Sequence, residues 1–398
     1  MICKVTKKKL KPFMSFGKMP IANGFIKKKD IKKEFFFNME VCFSKDVSLF
    51  QLNDHPKPKM MFNKNYPFFT GSSKLMISHF KEYANWIKKN YFKDKKILME
   101  IGSNDGTFLE NFKKDKIYTI GIEPSDNVAN ISRRKGIHTK NCFFDYKNIK
   151  KMKKFHNKTD LICAANAICH IPNIIDLIKG VNCLLAQKGL FIFEEPYLGA
   201  MYSKTSYDQI YDEHIFMFSV SSVMKIFKLF NFDLINVLPQ KTHGGSMRYV
   251  VGRSKEHKIN KNVLKFLNDE KRKKIDTVEG CLRFKKQCER SKKKLRNKIN
   301  IILKKGKKIA GYAATSKSTT ILNYCGIDNK HIDFICDTTP NKIGTYSPGT
   351  HIPIVSVDHY RKNIPDYTFL FAWNHKKEIF LKEKKILKKT KWFAHVKI

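Results

Sequence analysis

The stretch Ile97-Leu98-Met99-Glu100-Ile101-Gly102-Ser103-Asn104-Asp105-Gly106 reads as a buried strand that breaks into a glycine turn and opens a helix. Ile97 to Ile101, apolar but for Glu100, suits a parallel strand covered on both faces, and Thr107 to Phe112 can continue as the helix. Gly102 and Gly106 let the backbone turn tightly and come close to a ligand. A dinucleotide site carries Gly-x-Gly-x-x-Gly here, with a pyrophosphate on the helix end. This turn instead sets acidic Glu100 and Asp105 around the crevice, which suits a cation. A second strand, Tyr118 to Ile122, ends in Glu123, close to the roughly 20-residue spacing at which a carboxylate meets ribose hydroxyls. The pattern predicts S-adenosylmethionine, whose sulfonium and ammonium are positive. Its expected ligands are Glu100, Gly102, Asn104, Asp105, Gly106 and Glu123, with Asn166 from the end of the third strand. The bland alternative is a glycine turn closing an ordinary βα unit.

Alternating strands and helices extend from this point. Met76, Phe80, Tyr83, Trp86 and Ile87 have helical spacing over Ser73 to Tyr91. Strands over Ile97–Ile101, Tyr118–Ile122, Leu161–Ala165 and Leu190–Glu194 alternate with helices near 127–135, 171–185 and 220–230, and Arg248 to Gly252 supplies a late strand. That order predicts an α/β fold with a doubly wound parallel sheet, a class I (Rossmann-like) methyltransferase domain over 65–255. Residues 256–305 read as a helical connector of one or two long helices. Residues 306–398 read as a smaller C-terminal Rossmann-like substrate-binding domain with strands near 309–312, 333–336 and 367–372. Its turn Gly311 to Lys317 resembles a phosphate-handling βα turn, or simply joins strand to helix.

Residues 1–64 are strand-like and carry Cys3 and Cys42 where a zinc ribbon would start two pairs. The positions three further on hold Thr6 and Lys45, and two thiols cannot close a tetrahedral structural site. Unless His55 or another distant group fills in, the expectation is a degenerate zinc-ribbon-like domain that persists by packing, with no zinc and no other metal.

At 398 residues and 42% hydrophobic content the chain has ample core for two or three domains. No apolar run approaches the roughly 18 residues that span a bilayer, so no membrane partner and a cytoplasmic location are expected. The ten cysteines lack a regular framework and are expected reduced. The formal charge of +43 is nearly all lysine spread along the chain, whereas nucleic-acid readers concentrate arginine and aromatics on one face. A nucleic-acid partner is therefore not expected, while a general attraction for anionic substrates is.

The densest chemistry follows the fourth strand: Glu194-Glu195-Pro196-Tyr197-Leu198, then Tyr207-Asp208-Gln209-Ile210-Tyr211-Asp212-Glu213-His214. Loops after the carboxyl ends of parallel strands are where such folds carry function. His214 can act as a general base near neutral pH, with Glu213 or Tyr211 orienting it, or it can cap the helix that starts at Ser219. His170 is a second base or substrate ligand, or a cap for the helix after Ile171. Thr242 to Arg248 is a hairpin with a solvated arginine, or a turn whose amides, His243 and Arg248 line an anionic substrate.

These residues resemble a known family. The segments Pro20–Asn23, Tyr66–Phe80, Glu100–Gly106, Asn166–Pro172, Glu195–His214, His243–Arg248 and Gly311–Ile354, followed by Ala372-Trp373-Asn374, occur in the order and spacing of the three-domain sugar C-methyltransferases. That family methylates carbon 3 of nucleoside-diphosphate 4-keto-deoxysugars. The resemblance covers nearly the whole chain and implies that His214 of Tyr-x-Glu-His removes the proton beside the ketone, supported by Tyr211 and Glu213. The enolate carbon then attacks the sulfonium methyl, without a metal. Tyr66, His170, Tyr197, Tyr207, His243, Arg248 and Lys317 are the implied substrate-binding residues, and a monomer or weak homodimer is expected. The chain departs from the family in its two missing cysteines, in Phe68 where a tyrosine is usual, and in Ala313 to Ser318, where only Lys317 is left to reach a diphosphate. An RNA-directed or other small-molecule methyltransferase, or an inactive nucleotide-sugar binding protein, are the competing readings.

Overall fold

Three sheets organise the computed structural model, which describes residues 1–64 and 66–398. The first is antiparallel: β1 (Pro12–Pro20), β2 (Phe36–Ser44) and β3 (Leu49–Leu52), with the two-residue strand β9 (Phe216–Met217) paired to the edge of β3. Apolar side chains alternate along β1 and β2, but they do not close a core alone. Met14, Phe16, Met39 and Phe50 pack in one cluster with Met201 and Tyr202 of the central region, Phe284 of the connector and Ile321 of the C-terminal unit. The N-terminal segment is thus built into its neighbours rather than onto them.

The central sheet has the order β10-β11-β8-β7-β4-β5-β6. Its members are β4 (Ile97–Ile101), β5 (Tyr118–Ile122), β6 (Thr139–Lys140), β7 (Thr159–Ala165), β8 (Leu185–Pro196), β10 (Phe232–Gln240) and β11 (Ser246–Arg253). β4 to β8 are parallel, as the alternating pattern predicts. The late strand expected over Arg248–Gly252 is β11, which runs antiparallel to both β8 and β10 at the edge of the sheet. Residues 241–245 link β10 to β11, and so short a link can only reverse the chain, since a parallel crossover needs a dozen or more residues. The helices Lys74–Tyr91 on one face and Ile174–Leu184 and Val220–Lys228 on the other bury β4 and β7 on both sides.

The glycine turn is also tighter than expected. Gly102 and Gly106 sit at φ +69° and +78°, and a Cβ on Gly102 would come within 2.6 Å of Ala167 Cβ. The expected helix over Thr107 to Phe112 is instead a turn and a short 3-10 helix, Leu109–Phe112. Side-chain competition accounts for this: Asn111 Nδ2 donates to the carbonyls of Thr107 and Phe108, both at 3.0 Å, and so occupies groups a helix would use.

The connector forms the helices Lys261–Arg272 and Val278–Lys304. Beyond them, β12 (Ile309–Tyr312), β13 (Ile335–Asp337), β14 (Ile354–Ser356), β15 (Tyr367–Leu370) and β16 (Lys391–Phe393) make a parallel sheet ordered β14-β13-β12-β15-β16. No helix among the described residues is long and apolar enough to cross a membrane.

Glu270 fastens the connector to the central unit. Its buried carboxylate accepts from the amides of Val220 (2.7 Å) and Ser221 (2.8 Å), from Ser221 Oγ (2.6 Å) and from the Tyr197 hydroxyl (2.9 Å). Each donor left unpaired in a buried place costs roughly 1–3 kcal/mol. Glu270→Leu is therefore expected to lower unfolding free energy by about 3 kcal/mol or more, measured by denaturant titration; a change within about 0.5 kcal/mol would refute the role assigned to this carboxylate.

Candidate active site

A cavity of about 1360 Å³ opens at the carboxyl ends of β4, β5 and β7 and extends to the N-terminus of the helix Ser316–Cys325 in the C-terminal unit. Its two ends differ in charge. Glu100, Gly102, Asn104, Glu123 and Asn166 line the part formed by the central sheet; Lys317 and Lys342 line the part formed by the C-terminal unit, with Asp337 near Lys342.

At the acidic end Glu100 is 3% exposed, and burial, with Asp105 and Glu123 nearby, holds its pKa well above the ordinary carboxylate value. Glu100 Oε2 and Asn166 Oδ1 are buried without a partner among the described residues, and Asn166 is held at φ +53°. Glu123 accepts from the amides of Ser125 (2.7 Å) and Asn104 (2.9 Å), which fixes the mouth of the crevice. Unpartnered acceptors facing a cavity fit a ligand that brings donors or positive charge. The donor set therefore fits S-adenosylmethionine.

Asp105 and Gly106 stand behind that wall. Asp105 Oδ2 accepts from the Gly71 amide (2.8 Å) and Oδ1 from Thr107 Oγ1 (2.6 Å), while Asn104 Oδ1 accepts from the Thr70 amide (2.9 Å). Asp105 thus straps the segment 68–72 across the crevice. A Cβ on Gly106 would meet Ile137 and Ser132 at 2.5 Å, a packing constraint rather than a ligand contact.

Between the two ends stands His214, 4% exposed. Its Nδ1 lies 2.7 Å from the Gln209 carbonyl oxygen, which can only accept, so Nδ1 carries the proton and Nε2 the lone pair. Nε2 then accepts from the Tyr211 hydroxyl at 2.7 Å. Rings stack in a column, His170 against Phe62 (5.6 Å) and against His214 (5.4 Å), with Tyr211 4.0 Å beyond. Burial, followed by the neighbouring His170, pushes the His214 pKa well below its ordinary value, and burial takes His170 down to about 4. Both imidazoles are therefore neutral at neutral pH. His214 lies in a buried loop before Ser219, and it is Ser219 itself that caps the helix Val220–Lys228.

Glu213 accepts from Asn23 Nδ2 (2.7 Å), and Asp212 from the Ala22 amide (3.0 Å), so the N-terminal segment holds the loop that carries His214. Burial raises the Glu213 pKa to about 7, opposed by Asn23, Lys342 and Tyr66. Lys317 is 8% exposed, donates to Asn374 Oδ1 (3.1 Å) and lies 5.1 Å over the Trp373 ring. Tyr66, His170 and His243 also line the cavity.

Tyr197, Tyr207 and Arg248, expected on the substrate, lie outside the cavity wall. Tyr197 is tied to Glu270, and the Tyr207 hydroxyl sits 3.4 Å from Cys325 Sγ. Arg248 pairs with Glu194 (Nε–Oε1 2.7 Å) and lies 4.0 Å over Tyr83 and 4.5 Å over Trp86. The sequence singles out the stretch around Glu195 but gives that residue no role of its own; its Oε1 accepts from the amides of Ala167, Ile168 and Cys169 at 3.1, 2.7 and 3.2 Å and so fixes the His170 turn. Lys342, within the segment Gly311–Ile354, likewise has no assigned role in the sequence reading yet lines the cavity. The period of two along β8 was the available signal for Glu195, because adjacent acids on a strand must face opposite sides.

Donor atoms of Cys169, His170 and His214 lie within 4.8 Å of one another. Both His214 nitrogens are already engaged, so this is not an open ligand set. Nor do Cys3 and Cys42 belong to a group of three or more metal donors among the described residues. Cys3 Sγ accepts from the Thr6 amide (3.3 Å), and burial raises the Cys42 thiol to about 11. The residues present do not fit a structural zinc.

Three families match in chain order: a putative zinc binding domain over residues 3–62, a methyltransferase domain over 76–237 and a C-methyltransferase C-terminal domain over 241–396. The chain is 28% identical to the C-methyltransferase NovU of Streptomyces niveus, over 94% of this chain and 90% of that protein. Among solved structures it is similar to the PH0226 protein of Pyrococcus horikoshii, at 13% identity over 47% of this chain and 95% of the other, TM-score 0.38. A possible histamine N-methyltransferase of Thermotoga maritima gives 18% identity over 44% and 91%, TM-score 0.34. The three matched families span residues 3–396 almost without gap and, with a relative aligned over nearly its full length, mark the chain as an S-adenosylmethionine-dependent C-methyltransferase.

Proposed function

We propose that this C-methyltransferase acts on a nucleoside-diphosphate 4-keto-deoxysugar, removing the proton from carbon 3 and methylating the resulting enolate. The observation that carries the reading is the position of a neutral His214, lone pair on Nε2, between an acidic crevice and a lysine-bearing wall. A hydrogen beside a ketone is acidic only because the enolate delocalises onto oxygen, so a base and nearby donors must act together. His214 Nε2 takes the proton. Its lone pair is freed for this step when the Tyr211 hydroxyl turns from Nε2 to donate toward the ketone oxygen, where the enolate charge develops. Bound at the acidic end, S-adenosylmethionine supplies an electrophilic methyl group. Lys317 and Lys342, with the helix N-terminus capped by Thr315, offer cations and backbone amides to a diphosphate.

His214→Asn is expected to slow exchange of the carbon-3 proton with deuterated solvent by about 10² to 10⁴-fold, while S-adenosylmethionine affinity by calorimetry stays within about twofold. Exchange at the wild-type rate would remove His214 from the proposed mechanism.

The two nearest candidate bases differ in their pH limits. A histidine with a lowered pKa stays unprotonated as pH falls past 6.5, so kcat/KM should hold its plateau below pH 6.5 and fall only at more acidic values. A carboxylate base at Glu213 would place that acid limb near pH 7. A limb near 7 that vanishes in Glu213→Gln would transfer the role to the carboxylate.

A further inference from the structure

The base-bearing loop is gripped from the C-terminal unit at a residue the proposed chemistry does not use. Asp208 is fully buried, and its carboxylate accepts from Trp373 Nε1 through Oδ2 at 2.7 Å. Its Oδ1 lies 3.0 Å from Nε2 of His395, close to the end of the chain, and both side chains are 0% exposed. The next residue, Gln209, supplies the carbonyl that fixes the His214 tautomer. The same loop is held again where Thr320 Oγ1 donates to the Ile210 carbonyl (3.0 Å), and where the Tyr207 ring meets the edges of His395 (5.1 Å) and Tyr324 (5.4 Å).

Nothing about a general base requires a buried carboxylate on its loop, and burying one is costly without partners. Burial opposes ionisation of Asp208, yet His395, Lys317 and the Trp373 N–H hold its pKa below the ordinary value, so it is an anion. Its partners, Trp373 and His395, lie 165 and 187 residues away in sequence, both in the C-terminal unit, and Trp373 also lies under Lys317 at the anion-facing wall. A Cβ on Gly244 would come within 2.1 Å of the Trp373 ring, so the turn that carries His243 is moulded to the same indole. One buried charge therefore joins the wall with Lys317 to the carbonyl that aims the imidazole.

We propose that Asp208, clasped by Trp373 and His395, is a positioning residue that sets the Gln209 carbonyl and thereby the tautomer and orientation of His214. The C-terminal unit is then part of the apparatus that prepares the base, not only a wall of the cavity. The inference rests on the reading of His214 as base, but its effect on the imidazole is readable without any substrate.

The test uses the full chain labelled with ¹⁵N-histidine, as wild type and as Trp373→Phe, His395→Gln and Asp208→Asn, with His214→Gln to assign the His214 signals. The wild type should show His214 protonated at Nδ1 and unprotonated at Nε2. The clasp variants should show a mixed tautomer or a displaced titration of His214, and carbon-3 proton exchange slowed by about 10- to 100-fold at unchanged S-adenosylmethionine affinity. Trp373→Phe keeps a six-membered aromatic ring but loses the pyrrole ring with its N–H, and His395→Gln removes the other partner without touching the indole, so the two together carry the test if Asp208→Asn fails to fold. Folded clasp variants whose His214 signals and titration match the wild type would overturn the proposal. Displaced His214 signals in a protein that exchanges no keto sugar proton would uphold the clasp and count against the sugar reading instead.

Discussion

A histidine buried with one nitrogen tied to a carbonyl oxygen is the constraint on which the functional arrangement depends. The Gln209 carbonyl accepts a hydrogen bond from His214 Nδ1–H and leaves the Nε2 lone pair facing the Tyr211 hydroxyl in the cavity. Burial keeps the ring neutral, because an imidazolium there would lose its hydration. Neutrality and a fixed tautomer are what a base needs, and both come from the fold rather than from the histidine itself.

That fold is shared among units that sequence alone would separate. The N-terminal segment contributes the Asn23 amide to Glu213 and the Ala22 N–H to Asp212, and the Ala22 carbonyl accepts from Thr319 of the C-terminal unit at 2.8 Å. The hydrophobic cluster that starts at Met14 ends at Phe393. A segment with only the two thiols Cys3 and Cys42 can persist under these conditions, because its apolar face is buried by its neighbours.

Much of this was legible in the residues. The strands Ile97–Ile101, Tyr118–Ile122 and Ile309–Tyr312 follow directly from apolar runs bounded by polar residues and turns. The crevice acids Glu100 and Glu123 follow from strand ends, where side chains meet the ligand side of such sheets. What was not legible depends on contacts between distant segments. Asp105 reads like a crevice acid, yet the Gly71 amide claims it. Tyr197, Tyr207 and Arg248 read like substrate ligands, but Glu270, Cys325 and Glu194 occupy them, partners 73, 118 and 54 residues away in sequence. The β10 strand was missed because its alternation is broken at the bulge between Leu234 and Asn236.

The division of the cavity into an acidic and a cationic end, with the imidazole between, is open to one direct measurement: a ternary crystal structure with S-adenosylhomocysteine and a nucleoside-diphosphate keto sugar. The expected density places the adenosine moiety against Glu123, the diphosphate at Lys317 and Lys342, and carbon 3 within about 3.5 Å of His214 Nε2. A diphosphate lodged beside Glu100, or a sugar whose carbon 3 faces away from His214, would contradict it.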